Sequence, residues 1–347
     1  MHRKILFHLG FIALSLLILV ISNRLYSQEA QLEQIISGTA SSFRALAVVD
    51  DNVIWVSGSN GYFGRSIDGG KNWKFNQVNG FEDKDFRSLY ALDKNQAILC
   101  NAGSPAFILK TIDGGENWFI AYANESPDIF FDGIDFWNSK EGIIYGDPID
   151  GRMSLLHTID GGNSWLDIAP EQRPVMKTGE SSFAASGSAI RCFGKQNLAI
   201  VSGGIVSRLF ISADQGLTWQ IKDIPIIHGD AGTGAFSIAV KDSDTMVVVG
   251  GDYTKEEQCI DHILISQNGG NTWRKPKEPT KGYRESVEYL DRNSLIATGP
   301  SGTEISNDDG ETWQSISGPE GMHVVRKSKN GLLVVMAGKN GKIFLIR

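Results

Sequence analysis

One octapeptide recurs six times in this chain. The copies run Ser66 to Trp73, Thr111 to Trp118, Thr158 to Trp165, Ser212 to Trp219, Ser266 to Trp273 and Ser306 to Trp313. Each has Ser or Thr first, Asp or Asn third, Gly fifth and Trp last. Successive starts lie 45, 47, 54, 54 and 40 residues apart. Self-similarity at such a period marks an array of repeated supersecondary units. The residue types specify a tight hairpin. The third-position side chains, Asp68, Asp113, Asp160, Asp214, Asn268 and Asp308, can accept hydrogen bonds from backbone amides across the turn. The glycine supplies a positive φ. The tryptophans, Trp73, Trp118, Trp165, Trp219, Trp273 and Trp313, open the next strand and pack over the turn. All twelve residues are read as structural, and none as a catalytic carboxylate.

Around each copy lie short apolar or alternating runs. For the first, these are Phe43 to Val49, Val53 to Ser57, a short run into Ser66, and Trp73 to Val78. Four strands per unit of about 45 residues is the blade of a β-propeller. Inner strands are expected to start at Phe86, Phe131, Phe183, Phe236 and Tyr283. Beyond the sixth copy, His323 to Ser328, Leu332 to Ala337 and Lys342 to Arg347 give three more strands without an octapeptide. The segment Leu32 to Gly38 resembles the outer strand Trp313 to Gly318 and can complete a seventh blade. Pairing the two chain ends closes the ring and removes an open edge. The expected fold is therefore all-β: seven four-stranded antiparallel blades, with six as the alternative. Composition agrees. Gly is 39 of 347 residues and Pro only 10, with 10% aromatics and 21% charged residues, as in a turn-rich globular β protein. The net charge of −7 offers no electrostatic footprint for nucleic acid.

Residues 1–27 read as a secretory signal peptide. Arg3 and Lys4 precede an apolar stretch from Ile5 to Ile21, and Ser27 is a small residue before a polar segment. Leu25 fits the small-residue rule poorly, so an uncleaved membrane anchor is the alternative. Residues 28–347 then form one propeller domain, exported to the periplasm or secreted. It would touch a membrane only through an uncleaved N-terminal segment. Cleavage would remove Arg3, Lys4 and Arg24 and no acid, taking the charge from −7 to −10. Cys100, Cys192 and Cys259 permit at most one bridge and fit no zinc spacing.

The octapeptide resembles the Asp-box, or BNR repeat, of sialidases and many other propellers. In that family the box links the third and fourth strands on the face opposite the ligand site. The segment Ser42 to Gly58, followed by the box, resembles a Ycf48/Hcf136-type repeat, known best from photosystem II assembly and stability factors. The stretches Phe130 to Trp137, Gly146 to Gly151 and Gly179 to Gly187 resemble an exported bacterial subgroup often labelled oxidoreductase. No dinucleotide fingerprint and no haem-attachment motif accompany that label.

In a propeller, ligands sit where the loops before the inner strands meet the loops joining strands two and three. The inner-strand starts read Phe43-Arg44, Phe86-Arg87, Phe131-Asp132, Ser182-Phe183, Ala235-Phe236, Tyr283-Arg284 and Met322-His323. Arg44, Arg87 and Arg284 would converge on the axis and call for an anion or for acids such as Asp132, Glu180 or Glu285. The second loop set contributes Asp147, Asp252 and Tyr253. Their acids lack a defined calcium-loop pattern. His228 and His262 read as surface loop residues. No metal site, cofactor or catalytic set is identified.

These residues imply a Ycf48-like binding or assembly module of the cell envelope. Its Arg-rich central face would take a protein segment or an anionic group, with the chain expected to be a monomer. Two alternatives stay open. One is a sialidase-like hydrolase using three arginines, Tyr253 or Tyr283, Glu285 and Asp147. The other is a redox propeller without a recognisable cofactor motif.

Overall fold

A computed structural model describes residues 32–347; the export segment read over residues 1–27 lies outside them. Seven antiparallel sheets surround a central axis. In blade 1 the strands run outward as Phe43–Val48, Ile54–Gly58, Tyr62–Ser66 and Lys74–Gln77. Blade 7 holds Met322–Lys327, Val334–Gly338 and Lys342–Ile346, and its outermost strand is Leu32–Ile36. Leu32 pairs with Ile346 and Ile36 with Lys342, so the two ends of the described chain close the ring. Seven blades stand, and no α-helix occurs among the described residues.

The octapeptides form the turns between third and fourth strands. In the first, Asp68 Oδ1 accepts from Ser66 Oγ (3.0 Å) and Asn72 N (2.9 Å), and Ser66 Oγ accepts from Gly70 N (2.9 Å). The indole of Trp73 donates to Gly70 O at 2.9 Å. Each blade packs on the next through apolar faces. Ala45, Trp55 and Phe63 meet Leu89, Leu99 and Leu109 between blades 1 and 2. Leu46 and Ile54 meet Val324, Val335 and Leu345 across the closing joint. Each buried aliphatic or aromatic side chain contributes about 1.5–3 kcal/mol of transfer free energy. The blades are therefore held mainly by their sides, while the turns set where each strand reverses.

Strand assignments in blades 4, 5 and 6 differ from the sequence reading; the inner strand of blade 6 is Ser286–Tyr289, not a strand opening at Tyr283. The inner strand of blade 4 is Ile190–Phe193, not a strand opening at Phe183. Residues 182–188 instead form a strap that crosses the channel. In blade 5 the fourth strand is reduced to a single bridge between Ile265 and Arg274. The inner strand of that blade, Thr233–Val240, extends sideways to Gly203–Gly204 and Glu180–Ser181.

Candidate functional site

Five of the seven inner strands share a β-bulge that turns one residue toward the axis. In blade 1 Phe43 pairs with Gly58 and Ala45 with Ser57, leaving Arg44 as the extra residue. The same break isolates Arg87, Asp132, Phe236 and His323 in blades 2, 3, 5 and 7. A bulge re-aims a side chain in this way. In blade 6 Ser286 pairs with Thr298, and a Cβ on Gly299 would meet Tyr283 O and Arg284 Cα. Glu285 is therefore the axial residue there, one place beyond the Arg284 that the sequence suggested.

That single step decides the electrostatics. Arg284 is fully buried and grips Glu304 in a bidentate pair, Nε and Nη2 each donating at 2.6 Å. It does not join Arg44 and Arg87, so the three-arginine cluster does not form. Glu285 instead places Oε2 3.1 Å from Arg44 Nη1 and 2.7 Å from His323 Nδ1. A carboxylate only accepts, so Nδ1 carries the proton, and Nε2 faces Ser42 Oγ at 3.1 Å. Arg87 Nε binds Asp85 at 2.7 Å. Its two outer nitrogens make no hydrogen bond to protein among the described residues.

The strap shapes the floor. Phe183 stacks on Phe236 with ring centroids 3.8 Å apart, and Tyr283 meets Phe236 edge-on at 4.8 Å. Ala185 O accepts from Arg44 at 3.2 Å, and Gly187 O from Arg326 at 3.2 Å. Ser186 Oγ donates to Glu285 O at 2.7 Å, and Ser188 Oγ to Ser237 Oγ at 2.7 Å. Together these ties hold the strap to blades 1, 5, 6 and 7. Above it opens a cavity of about 430 Å³ lined by Arg44, Arg87, Asp147, Phe183, Glu285 and His323. Tyr253, Glu256, Pro300 and Lys339 enter from the loops between second and third strands.

Other predicted residues have different places. Glu180 is buried in an ion pair with Arg208 and accepts from Ser202 Oγ at 2.6 Å. Asp252 is buried too, and it caps its own loop through Thr254 N (2.9 Å) and Lys255 Nζ (3.0 Å). Tyr253 stands exposed on the rim, and the Tyr283 ring is buried. Burial, followed by the nearby Glu285 charge, lifts the Tyr283 hydroxyl well above its ordinary value. His262 is buried against Thr280 and is not a surface residue.

Asp132 lies just beneath the cavity. It is fully buried, and neither carboxyl oxygen has a hydrogen-bond partner. Burial first, then the neighbouring Asp147, push its pKa well above the usual carboxylate range, against the pull of Arg87. Asp147 is raised by burial, although it accepts from Ser182 N at 2.9 Å. Among the described residues no group of three or more His, Cys, Asp or Glu is arranged to hold a metal ion.

The strap, Glu285, Lys339 and Glu256 were not singled out as axial by the sequence reading. A count would have placed two of them. Phe43, Phe131 and Ala235 each stand 15 residues before Gly58, Gly146 and Gly250. Counting 15 back from Gly299 gives Arg284 in the buried place and Glu285 on the axis. Counting 15 back from Gly203 gives Ser188 and leaves Phe183 in the strap.

No family model matches the chain, and no curated protein matches it. Solved structures do. One titled "YCF48 bound to D1 peptide" has 16% identity and a TM-score of 0.65, covering 92% of this chain and 96% of that one. Ycf48 from Cyanidioschyzon merolae has 14% identity and a TM-score of 0.69, covering 92% and 99%. A GH74 xyloglucanase from Xanthomonas campestris has 12% identity and a TM-score of 0.58, and the match spans 53% of its chain. The chain is thus similar in fold to the Ycf48 propellers.

Proposed function

We propose that this protein is a binding module of the cell envelope that holds an extended protein segment over the strap-floored cavity. The observation that carries this reading is the mixed lining. Lys339, Arg44 and Arg87 line the side made by blades 7, 1 and 2, and Asp147, Glu256 and Glu285 the side made by blades 3, 5 and 6, around an aromatic floor. A purely anionic ligand would meet three acids. A peptide offers both donors and acceptors and suits such a rim. The outer nitrogens of Arg87 and the exposed Tyr253 ring are the groups left to meet it. A structural neighbour solved with a D1 peptide supports segment binding as a use for this fold. Residues 1–27 would carry the protein out of the cytoplasm.

The hydrolase reading has less support. Its three-arginine clamp needs Arg284, and its nucleophile would be either the buried Tyr283 or the rim residue Tyr253.

The test is an array of peptides tiling the host's exported proteins, probed with the full chain and with Arg44→Ala/Arg87→Ala. A defined set of segments should bind the unmodified chain, and the double variant should lose that set. Binding patterns identical for both proteins would rule this reading out.

A further inference from the structure

We propose that Asp132 is a proton-operated switch on the segment site: neutral, it leaves the outer nitrogens of Arg87 to the segment, and ionised, it draws them to itself. The inference rests on the reading of the cavity given above and adds its regulation. Its ground is the placement of three side chains. Arg87 and Asp132 are the re-aimed residues of adjacent blades 2 and 3. Asp147, on the second strand of blade 3, lines the cavity beneath which Asp132 lies.

The surroundings of Asp132 are closed and leave its carboxyl without a donor. It is fully buried, and neither of its oxygens has a hydrogen-bond partner. From blade 2 it faces Arg87, whose Nε is held by Asp85 at 2.7 Å. From the second strand of its own blade it faces Asp147 and Tyr145. The Tyr145 hydroxyl stays neutral, because burial and then the charges of Asp132 and Asp147 lift it well above its ordinary value. The strap contributes Ser182, which does not titrate and whose Oγ also lacks a partner. A carboxylate so placed has nothing to replace the water it gave up, so burial favours the neutral acid. A second carboxylate beside it works in the same direction.

Two carboxyls in contact lose their protons in two steps. Asp147 is half-buried and accepts from Ser182 N at 2.9 Å, so its negative charge forms first. Ionising Asp132 then adds a second negative charge beneath the cavity. The cation that faces it is Arg87, and the outer nitrogens of Arg87 are the groups left to meet a segment. The second charge competes with the segment for those donors. Segment binding and proton binding at Asp132 therefore strengthen each other, by linkage. The other titratable pair on the axis, Glu285 with His323, holds Arg44 rather than Arg87.

The experiment is an anisotropy titration of an array-selected segment with the full chain and with Asp132→Asn, at about pH 5.5 and about pH 8. The unmodified chain should bind at least about fivefold more weakly at the higher pH, the lower end of common coupling strengths. Asp132→Asn is neutral at both pH values. It should lose most of that difference and bind more tightly at pH 8 than the unmodified chain does. Carboxyl carbon-13 NMR of the unmodified chain gives a readout that needs no variant. The Asp132 resonance should titrate above the ordinary carboxylate range, and its midpoint should rise when the segment is bound. Equal affinities at the two pH values, the same ratio in the variant, or a midpoint that the segment does not move would overturn this inference and leave segment binding standing. A chain that binds no segment at either pH would overturn the reading of the cavity, and this inference with it.

Discussion

Ser306 shows how much a single hydroxyl does in the repeat. Its Oγ accepts from Gly310 N at 2.9 Å and donates to Asp308 at 2.8 Å, and the side chain is buried. The same pair of bonds recurs from the first residue of every octapeptide. Removing it leaves a buried amide unpaired, a loss of about 1–2 kcal/mol. Ser306→Ala should lower the denaturant midpoint accordingly without changing its slope. Asp132 behaves in the opposite sense. Its folded pKa is raised above the ordinary 3.8, first by burial and next by Asp147. Its stabilising protonated form is fully present below 3.8, and that contribution is lost as pH climbs toward the folded value. Asp132→Asn stays neutral throughout. It should stabilise the fold at about pH 8 by roughly 1–2 kcal/mol, with the gain vanishing near pH 4. Chemical denaturation at the two pH values checks this, and a gain of equal size at both would contradict it. The structural part of each octapeptide was legible in the sequence because its chemistry is local. The burial of Asp132 was not, since it depends on how neighbouring inner strands, among them the one that carries Arg87, close around it.

At the scale of elements, the strap is the part that the repeat does not dictate. Its hold on the ring is the Phe183 stack, the Arg44 and Arg326 bonds to its carbonyls, and the serine contacts. Phe183→Ala removes a half-buried ring and should cost about 2 kcal/mol. It should also loosen residues 182–188, seen as faster amide exchange there while the blade strands keep their protection. Uniform loss of protection across all blades would mean the strap is not a separate unit. The strand pattern of blades 1, 2, 3, 5 and 7 was readable because apolar alternation and turn glycines coincide. Blade 6 misleads because Tyr283-Arg284 imitates Phe43-Arg44 and Phe86-Arg87, while its register is fixed by the glycine on the second strand. Side-chain likeness gave the wrong axial residue by one place. In a strand, one place moves a side chain to the other face.

At the scale of the molecule, closure and the cavity both depend on the ring being complete. Leu32–Ile36 covers the edge of Lys342–Ile346 along five paired positions. A chain lacking residues 32–36 exposes that edge, and it should melt earlier and self-associate on concentration. Light scattering and thermal unfolding measure both, and an unchanged melt would show that the joint is held by the blade faces alone. The seven-blade count was legible from the period and from the unpaired strands after Gly318. The content of the cavity was not, because it is assembled from bulges and loops that lie far apart in sequence. The central claim is that Arg44 and Arg87 hold a protein segment there. The most direct measurement is a fluorescence anisotropy titration of an array-selected segment with the full chain and with Arg44→Ala/Arg87→Ala. The account predicts at least a tenfold weaker Kd for the variant, a loss of about 1.4 kcal/mol, at a temperature where both proteins are folded. Equal affinities for the two proteins would contradict it.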